Sequence, residues 1–330
     1  MNKNFIIFLL SCMVLLASCQ KDIDTFVPDA NQLNGPDTSW YTSISATMPI
    51  NDLRNKLMID TYKDSAVVGA SPVTFTTSTG LQCTFPGNSL TTPTGQNISG
   101  SSVKVEMMFL RSKGDMIRLG RPTTSNGRLL VSSSGLFIRA KNDTAELQMT
   151  SNSRFTYRYA ESPLSTQMKF FVGDETNSQQ FNWLPNPNIT TNIIGYNTGQ
   201  SQYEIQTNNF RWSGLDYFYD TSNIQRVYLK AQLANYFTNA NTIVYTVFRD
   251  FRSVVGMYGD AVSKKFVSST KLPVGKLVTV VVISKQGNDY FMGFENVTTA
   301  VQAGTTGEQV VTVTPVKKSI AEIISYLNTL

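Results

Sequence analysis

The sequence predicts an all-β protein, built as two sandwich-like, mostly antiparallel β domains that end in a short helix. Three observations carry this. Apolar and polar residues alternate with a period of two along many short stretches, which is how a half-buried strand reads. Clusters of Gly, Asn, Ser and Pro separate those stretches at the spacing found in sandwiches. At 330 residues the chain is long enough for about two domains, and no stretch repeats at a fixed period.

The first expected domain spans residues 41–162. Val73 and Phe75 alternate with threonines, and Leu81, Cys83 and Phe85 lie together on one face. That phase puts Cys83 in a core, where a thiol packs as a small hydrophobe. Val103, Val105, Met107 and Phe109 face one side of the next strand while Lys104 and Glu106 face the other. Leu136, Ile138 and Ala140 alternate with Phe137 and Arg139, and Phe155, Tyr157 and Tyr159 alternate with Thr156 and Arg158. Pro86-Gly87-Asn88-Ser89, Thr94-Gly95-Gln96-Asn97 and Ser125-Asn126-Gly127 supply the turns between them.

The second expected domain, residues 163–330, begins where the texture changes near Glu161-Ser162-Pro163. Aromatics number 16 among the 78 residues 181–258, well above their 11% share of the chain. Strands are expected at 168–172, 203–205, 227–230 and 243–248. Leu277–Ile283 is apolar on both faces, which marks a covered central strand too short to span a membrane. Ser319 and Glu322 form an S-x-x-E capping box ahead of the stripe Ile320, Ile323, Ile324 and Leu327. A helix this short is marginal alone, so it is expected to dock on the second domain.

Composition narrows the chemistry. The absence of histidine removes Ser-His-Asp and Cys-His centres, the usual zinc sites and the usual near-neutral base. No run of five Lys or Arg occurs, so nucleic acid has no electrostatic footprint to bind. Neither a cofactor nor a metal site is expected.

The N-terminus reads as an address. Lys3 precedes the apolar run Phe5–Leu16, too short for a transmembrane helix and right for a secretory signal. The run ends in Leu16-Ala17-Ser18-Cys19, which resembles the bacterial lipoprotein signal. The resemblance implies cleavage after residue 18 and a lipid thioether on Cys19, making the membrane the first partner. Lipid chains contribute about 0.8 kcal/mol per buried CH₂. Gln20-Lys21-Asp22-Ile23-Asp24 is similar to the acidic export tag of Bacteroidetes surface lipoproteins, with Ile23 interrupting the acids. It implies an outer-membrane protein, with surface display favoured over the periplasmic leaflet. Residues 19–40 are polar and turn-rich and read as a tether. Cleavage removes Lys3, leaving 27 basic and 23 acidic residues. It also removes Cys12, and with Cys19 acylated Cys83 stands alone, so no intramolecular disulfide is expected.

Gly80-Leu81-Gln82-Cys83-Thr84-Phe85-Pro86-Gly87-Asn88-Ser89-Leu90, with Gly95–Gly100 and Val103-Lys104-Val105, resembles the ZU5 type of β-sandwich. Gly114-Asp115-Met116-Ile117 and Arg121–Gly127 resemble a fuller pattern in uncharacterised Bacteroidetes lipoproteins. The resemblance covers roughly residues 70–160 and implies an interaction module, since ZU5 domains mostly bind partners.

Candidate chemistry centres on Phe210–Asp220. Aromatic faces stack on sugar rings and flanking Arg and Asp groups bond hydroxyls, so Arg211, Trp212, Asp216, Tyr217, Phe218 and Tyr219 are expected to hold a glycan or an envelope protein. In a strand, Phe218 cannot share a side with Tyr217 and Tyr219. The competing reading is a core strand with Trp212, Tyr217 and Tyr219 inward. Asp115 is expected to cap backbone amides in a turn, and Gly173–Asn177 to be a polar hairpin loop that lacks the ligand spacing of a calcium loop. Asp64-Ser65-Ala66 and Asp143-Thr144-Ala145 resemble a three-residue O-glycosylation sequence of Bacteroidetes envelope proteins, which implies sugars on Ser65 and Thr144. The expected function is a lipid-anchored, non-catalytic binding or structural module of the cell envelope. The rival is a histidine-free glycosidase working with two carboxylates.

Overall fold

The computed structural model describes residues 37–330 except Thr144, Ser178 and Gln179. The expected signal peptide, Cys19 and the tether as far as residue 36 lie outside the described residues, as does Thr144.

Helix α1 (Pro49–Leu57) is followed by β1 (Tyr62–Val67), β2 (Val73–Thr76), β3 (Gln82–Phe85), β4 (Leu90–Thr91) and β5 (Ser102–Leu110). Then come α2 (Lys113–Arg118), β6 (Thr124–Ser125), the long β7 (Arg128–Asn142), β8 (Ala145–Glu146), β9 (Gln148–Met149) and β10 (Phe155–Ala160). The middle of the chain holds β11 (Lys169–Asp174), β12 (Asn182–Pro185), β13 (Ile193–Asn197), β14 (Gln202–Thr207) and β15 (Arg211–Phe218). The remainder is β16 (Arg226–Gln232), β17 (Thr242–Phe248), β18 (Val254–Asp260), β19 (Lys265–Ser268), β20 (Leu272–Pro273) and β21 (Leu277–Gln286). It closes with β22 (Asp289–Thr298), β23 (Glu308–Thr312), β24 (Val316–Lys318) and α3 (Ile320–Leu327).

Sheet I runs β1-β5-β7-β15-β11-β12, and sheet II runs β13-β14-β10-β3-β2. They close over one core in which the alternating residues meet as expected. Val103, Val105, Leu136 and Ile138 come from sheet I; Cys83, Phe85, Phe155, Tyr157 and Tyr159 come from sheet II. Sheet III runs β20-β16-β19-β18-β17-β21-β22-β24, with β23 parallel to β16. It rolls around Leu229, Phe248, Phe266, Val280 and Val282 until β22 comes near β23. Val281 and Ile283 point out of the roll into another core, so β21 is covered on both faces as its composition requires.

The expected boundary at residues 162/163 is corrected. β11, β12 and β15 complete sheet I, and β13 and β14 complete sheet II, so the sandwich runs to Phe218. The reason is pairing: β7 needs a neighbour on each side, and β15 supplies one in antiparallel register from Arg211↔Ile138 to Phe218↔Leu130. The rise in aromatic content marks extra covered strands within one compact unit, residues 38–330.

The third core lies along the seam between sheet I and sheet III. Phe137, Phe171, Trp183 and Trp212 of sheet I meet Ile243, Val247, Val254 and Ile283 of sheet III, with the three helices wedged among them. Two of these helices escape the period-two reading. Helix α1 starts with Pro49 at its first position and buries Ile50, Leu53 and Leu57, one stripe at helical spacing. Helix α2 replaces the turn expected at Asp115. Ser112 Oγ accepts from Asp115 N at 3.0 Å, and Asp115 Oδ2 accepts from the Ser112 and Arg111 amides at 3.0 Å each. Asp115 thus caps amides as expected, but at the start of a helix.

Helix α3 has its capping box, with Glu322 N donating to Ser319 Oγ at 3.2 Å. It docks on α2 and α1 at the seam. Gly114 permits the approach, because a Cβ there would stand 1.9 Å from the Leu327 carbonyl oxygen. Polar groups fasten the same seam. Glu161 accepts from Arg111 at 3.2 Å and from Arg252 at 3.1 Å, Arg252 also reaches the Ser133 carbonyl, and Lys113 Nζ donates to the Phe248 carbonyl at 2.8 Å. No helix among the described residues is long and apolar enough to cross a membrane.

Candidate functional site

The aromatic strand does not form a common exposed patch, and the expectation that its six residues bind together is corrected. β15 is paired on both edges in sheet I, and both of its faces are covered: Leu215 lies in the core between sheets I and II and Trp212 in the seam core. Trp212 is 2% exposed, packed against Phe137 at 5.2 Å between ring centres. Asp216 is 1% exposed. Phe218 shares the seam face with Trp212, under the Arg128 guanidinium at 3.7 Å from its ring centre. Tyr217 points to the opposite face by strand alternation and is half-buried. Tyr219 belongs to the roll of sheet III, stacked on Phe251 at 4.9 Å. Only Arg211 stands well out, and it pairs with Glu175 at 3.2 Å.

The concave surface lies beside this strand, along the seam. A chamber of about 400 Å³ has Phe137, Phe181 and Trp212 on the side of sheet I, with Arg54, Arg118 and Arg121 around it. A second, of about 370 Å³, continues between Tyr41 and Phe266. The two share Arg54, Tyr245 and Tyr258, so they form one groove. A third, of about 290 Å³, joins at Phe181, Asn177 and Tyr258.

Local sequence explains how each side chain arrives. Buried Leu53 and Leu57 orient α1 so that Arg54 edges into the groove. Helix α2 ends in a Schellman motif: Arg121 N bonds the Met116 carbonyl at 2.8 Å, Gly120 N bonds that of Ile117 at 3.1 Å, and Gly120 sits at φ +62°. The reversal lays the Arg121 guanidinium over Phe181 at 4.4 Å and Trp212 at 4.8 Å. Glu175, just past β11, accepts from Arg121 Nη2 at 2.8 Å, Arg211 Nη2 at 3.2 Å and Trp212 Nε1 at 3.2 Å. Arg118 caps the end of α1, donating to the carbonyls of Leu57 at 2.8 Å and Met58 at 3.1 Å. Tyr245 and Tyr258 sit on the outer face of β17 and β18, and burial raises both phenol pKa values while Arg54 opposes the rise. They are neutral hydrogen-bonding groups at physiological pH.

The acids of the groove are already committed. Asp174 is held below the usual carboxylate range by the hydroxyl and amide of Thr176, and Asp260 by Ser263 and the Val262 amide. Of the expected loop Gly173–Asn177, Gly173 and Asp174 still pair with β12 as the end of β11, and only Glu175–Asn177 lead out of the strand; no three His, Cys, Asp or Glu side chains cluster among the described residues. Among the described residues the one carboxyl raised by burial, Asp216 at about 7, lines no part of the groove. Its oxygens meet no partner at hydrogen-bonding geometry, and the Ser132 hydroxyl offsets only part of the burial. Cys83 is fully buried with its thiol pKa pushed up, which makes it inert. Ser65 is exposed on the edge strand β1, open to modification.

The groove residues Arg54, Arg118, Arg121, Tyr245 and Tyr258 escape the sequence reading. One signal was present: Ser112-x-x-Asp115 and Gly120 frame a short helix that returns the chain at Arg121. No protein-family model matches the chain, and no curated protein matches it either.

Proposed function

We propose that the chain is a lipid-anchored binding module of the cell envelope, non-catalytic, and that it holds a glycan in the seam groove. The observation that carries this is the continuity of the groove: connected chambers with partly exposed tyrosines and fixed guanidiniums give a sugar both stacking faces and directed donors. Cys19 supplies the membrane attachment and residues 19–40 the tether, with surface display favoured. The ZU5-like pattern, typical of interaction modules, points the same way. A glycosidase needs one carboxyl raised to act as an acid and a second carboxylate beside it. The groove acids are instead held ionised or shared among arginines, which favours binding over hydrolysis. A protein partner is the second reading, favoured by exposed Phe294 and Val316 beside a cavity of about 380 Å³ at Tyr326.

Purified full-length protein tested against an array of envelope and dietary glycans decides between these. Binding is expected, and Tyr258→Ala should weaken it at least about tenfold in protein that still unfolds cooperatively. Undiminished binding by Tyr258→Ala would move the ligand out of the groove. New reducing ends, lost in Glu175→Gln, would establish the glycosidase.

A further inference from the structure

We infer that the groove ligand is an anionic saccharide, one carrying carboxylate or sulfate groups; this rests on the glycan reading above and names its charge. The ground is a charge balance left open by the fold. Arg54, Arg118 and Arg121 line the larger chamber, and Glu175 is the single acid among its lining residues. That acid is divided between Arg121 and Arg211. Arg54 and Arg118 have no carboxylate within ion-pair distance among the described residues; their recorded partners are Asn51, Asn328 and the backbone carbonyls of Leu57 and Met58.

Like charges gathered in a partly dry cleft repel one another more strongly than in water, because the local dielectric is low. An anion entering the cleft removes that repulsion. The guanidiniums are also preorganised. Arg118 is tied to the end of α1 and Arg121 lies flat on Phe181 and Trp212, so an incoming anion meets donors that need little ordering. The buried Nε of Arg121 has no partner, which leaves this guanidinium short of one bond. The phenols of Tyr245 and Tyr258 stay protonated, so they donate to an anion instead of repelling it. The acids Asp174 and Asp260 line the two flanking chambers, which leaves the cationic chamber as the place for the charged group.

The test titrates the full-length protein in detergent with trigalacturonate, with its methyl ester, with a sulfated disaccharide and with inorganic sulfate. The acid or the sulfated sugar should bind at least about tenfold tighter than the neutral ester, and the preference should shrink in high salt. Arg54→Gln should lower affinity for the charged sugar about five- to tenfold, several times more than it lowers affinity for the ester. If ester and acid bind alike, the charge inference fails and the glycan reading stands. If no saccharide in the set or on the glycan array binds, both fail. Sulfate binding without any saccharide binding would reduce the chamber to an ion site and overturn the proposal.

Discussion

The core between sheets I and II and the core along the seam are made of different material. The first is filled by alternating apolar and tyrosyl side chains; Ser134 donates to the Tyr159 hydroxyl at 2.8 Å, while the Tyr157 hydroxyl is buried without a partner. The seam joins aromatic rings and helix stripes to charged groups: Lys113 and Arg252 reach across it, and the Asp216 oxygens are shut in without a partner at hydrogen-bonding geometry. The difference teaches that period-two patterning builds a sheet pair, whereas the meeting of two sheet systems is specified by residues that look like surface. The groove proposed to bind lies along this seam, where the two curved bodies leave connected chambers between them.

The largest expected effects test whether both cores bear burial equally. Phe155→Ala in the sandwich and Trp212→Ala at the seam should each cost about 3–5 kcal/mol in denaturant unfolding. A Trp212→Ala cost below about 1 kcal/mol would return that ring to the surface and reopen the aromatic-strand site.

The next concerns Asp216, the one carboxyl among the described residues with a strongly raised pKa. Its folded value is about 7 against an ordinary 3.8, so the folded chain keeps a proton that the unfolded chain has lost. Stability is therefore unaffected below about pH 4, falls as pH rises, and carries the full loss above about pH 7, on the order of 4 kcal/mol. Asp216→Asn should remove that slope and stabilise the protein at pH 8 but not at pH 4. Parallel unfolding curves of variant and parent across this range would show that the carboxyl is solvated.

Smaller effects separate the seam's polar fastening from its packing. Glu161→Gln strips Arg111 and Arg252 of their shared acid and should cost about 2 kcal/mol, with the transition losing sharpness as the sandwich and roll uncouple. Calorimetry should detect the broadening; an unchanged, sharp transition would mean the rings alone hold the seam. Last, Ser319→Ala removes the cap of α3 and should cost about 1 kcal/mol, seen as a small fall in Tm.

How much was legible follows the same division. The phase of Val103–Phe109, Leu136–Ala140 and Phe155–Tyr159 is carried by nearest neighbours along the chain, and those strands bury the residues expected. The capping box at Ser319 is equally local. For Trp212 the sequence leaves a glycan-binding face and an inward core position both open, because aromatic, Arg and Asp neighbours read alike in a core strand and in a binding face. The seam core that covers this face of sheet I settles the matter, and the face is assembled by pairing across some 75 residues of chain. Arg54, Arg121 and Tyr258 carry no joint pattern at all, since α1, α2 and β18 meet only after the sheets have stacked.

By itself the sequence determined the all-β class, the inward phase of the sandwich strands, the doubly covered β21 and the C-terminal helix with its cap. These rest on interactions within a few residues, where side-chain period and backbone hydrogen bonding leave little choice. Only the tertiary structure decided which strands share a sheet, that the sandwich extends to Phe218, and that guanidiniums and phenols from distant segments border one groove. Such choices turn on burial and charge summed over whole faces, and no short stretch of chain encodes that sum.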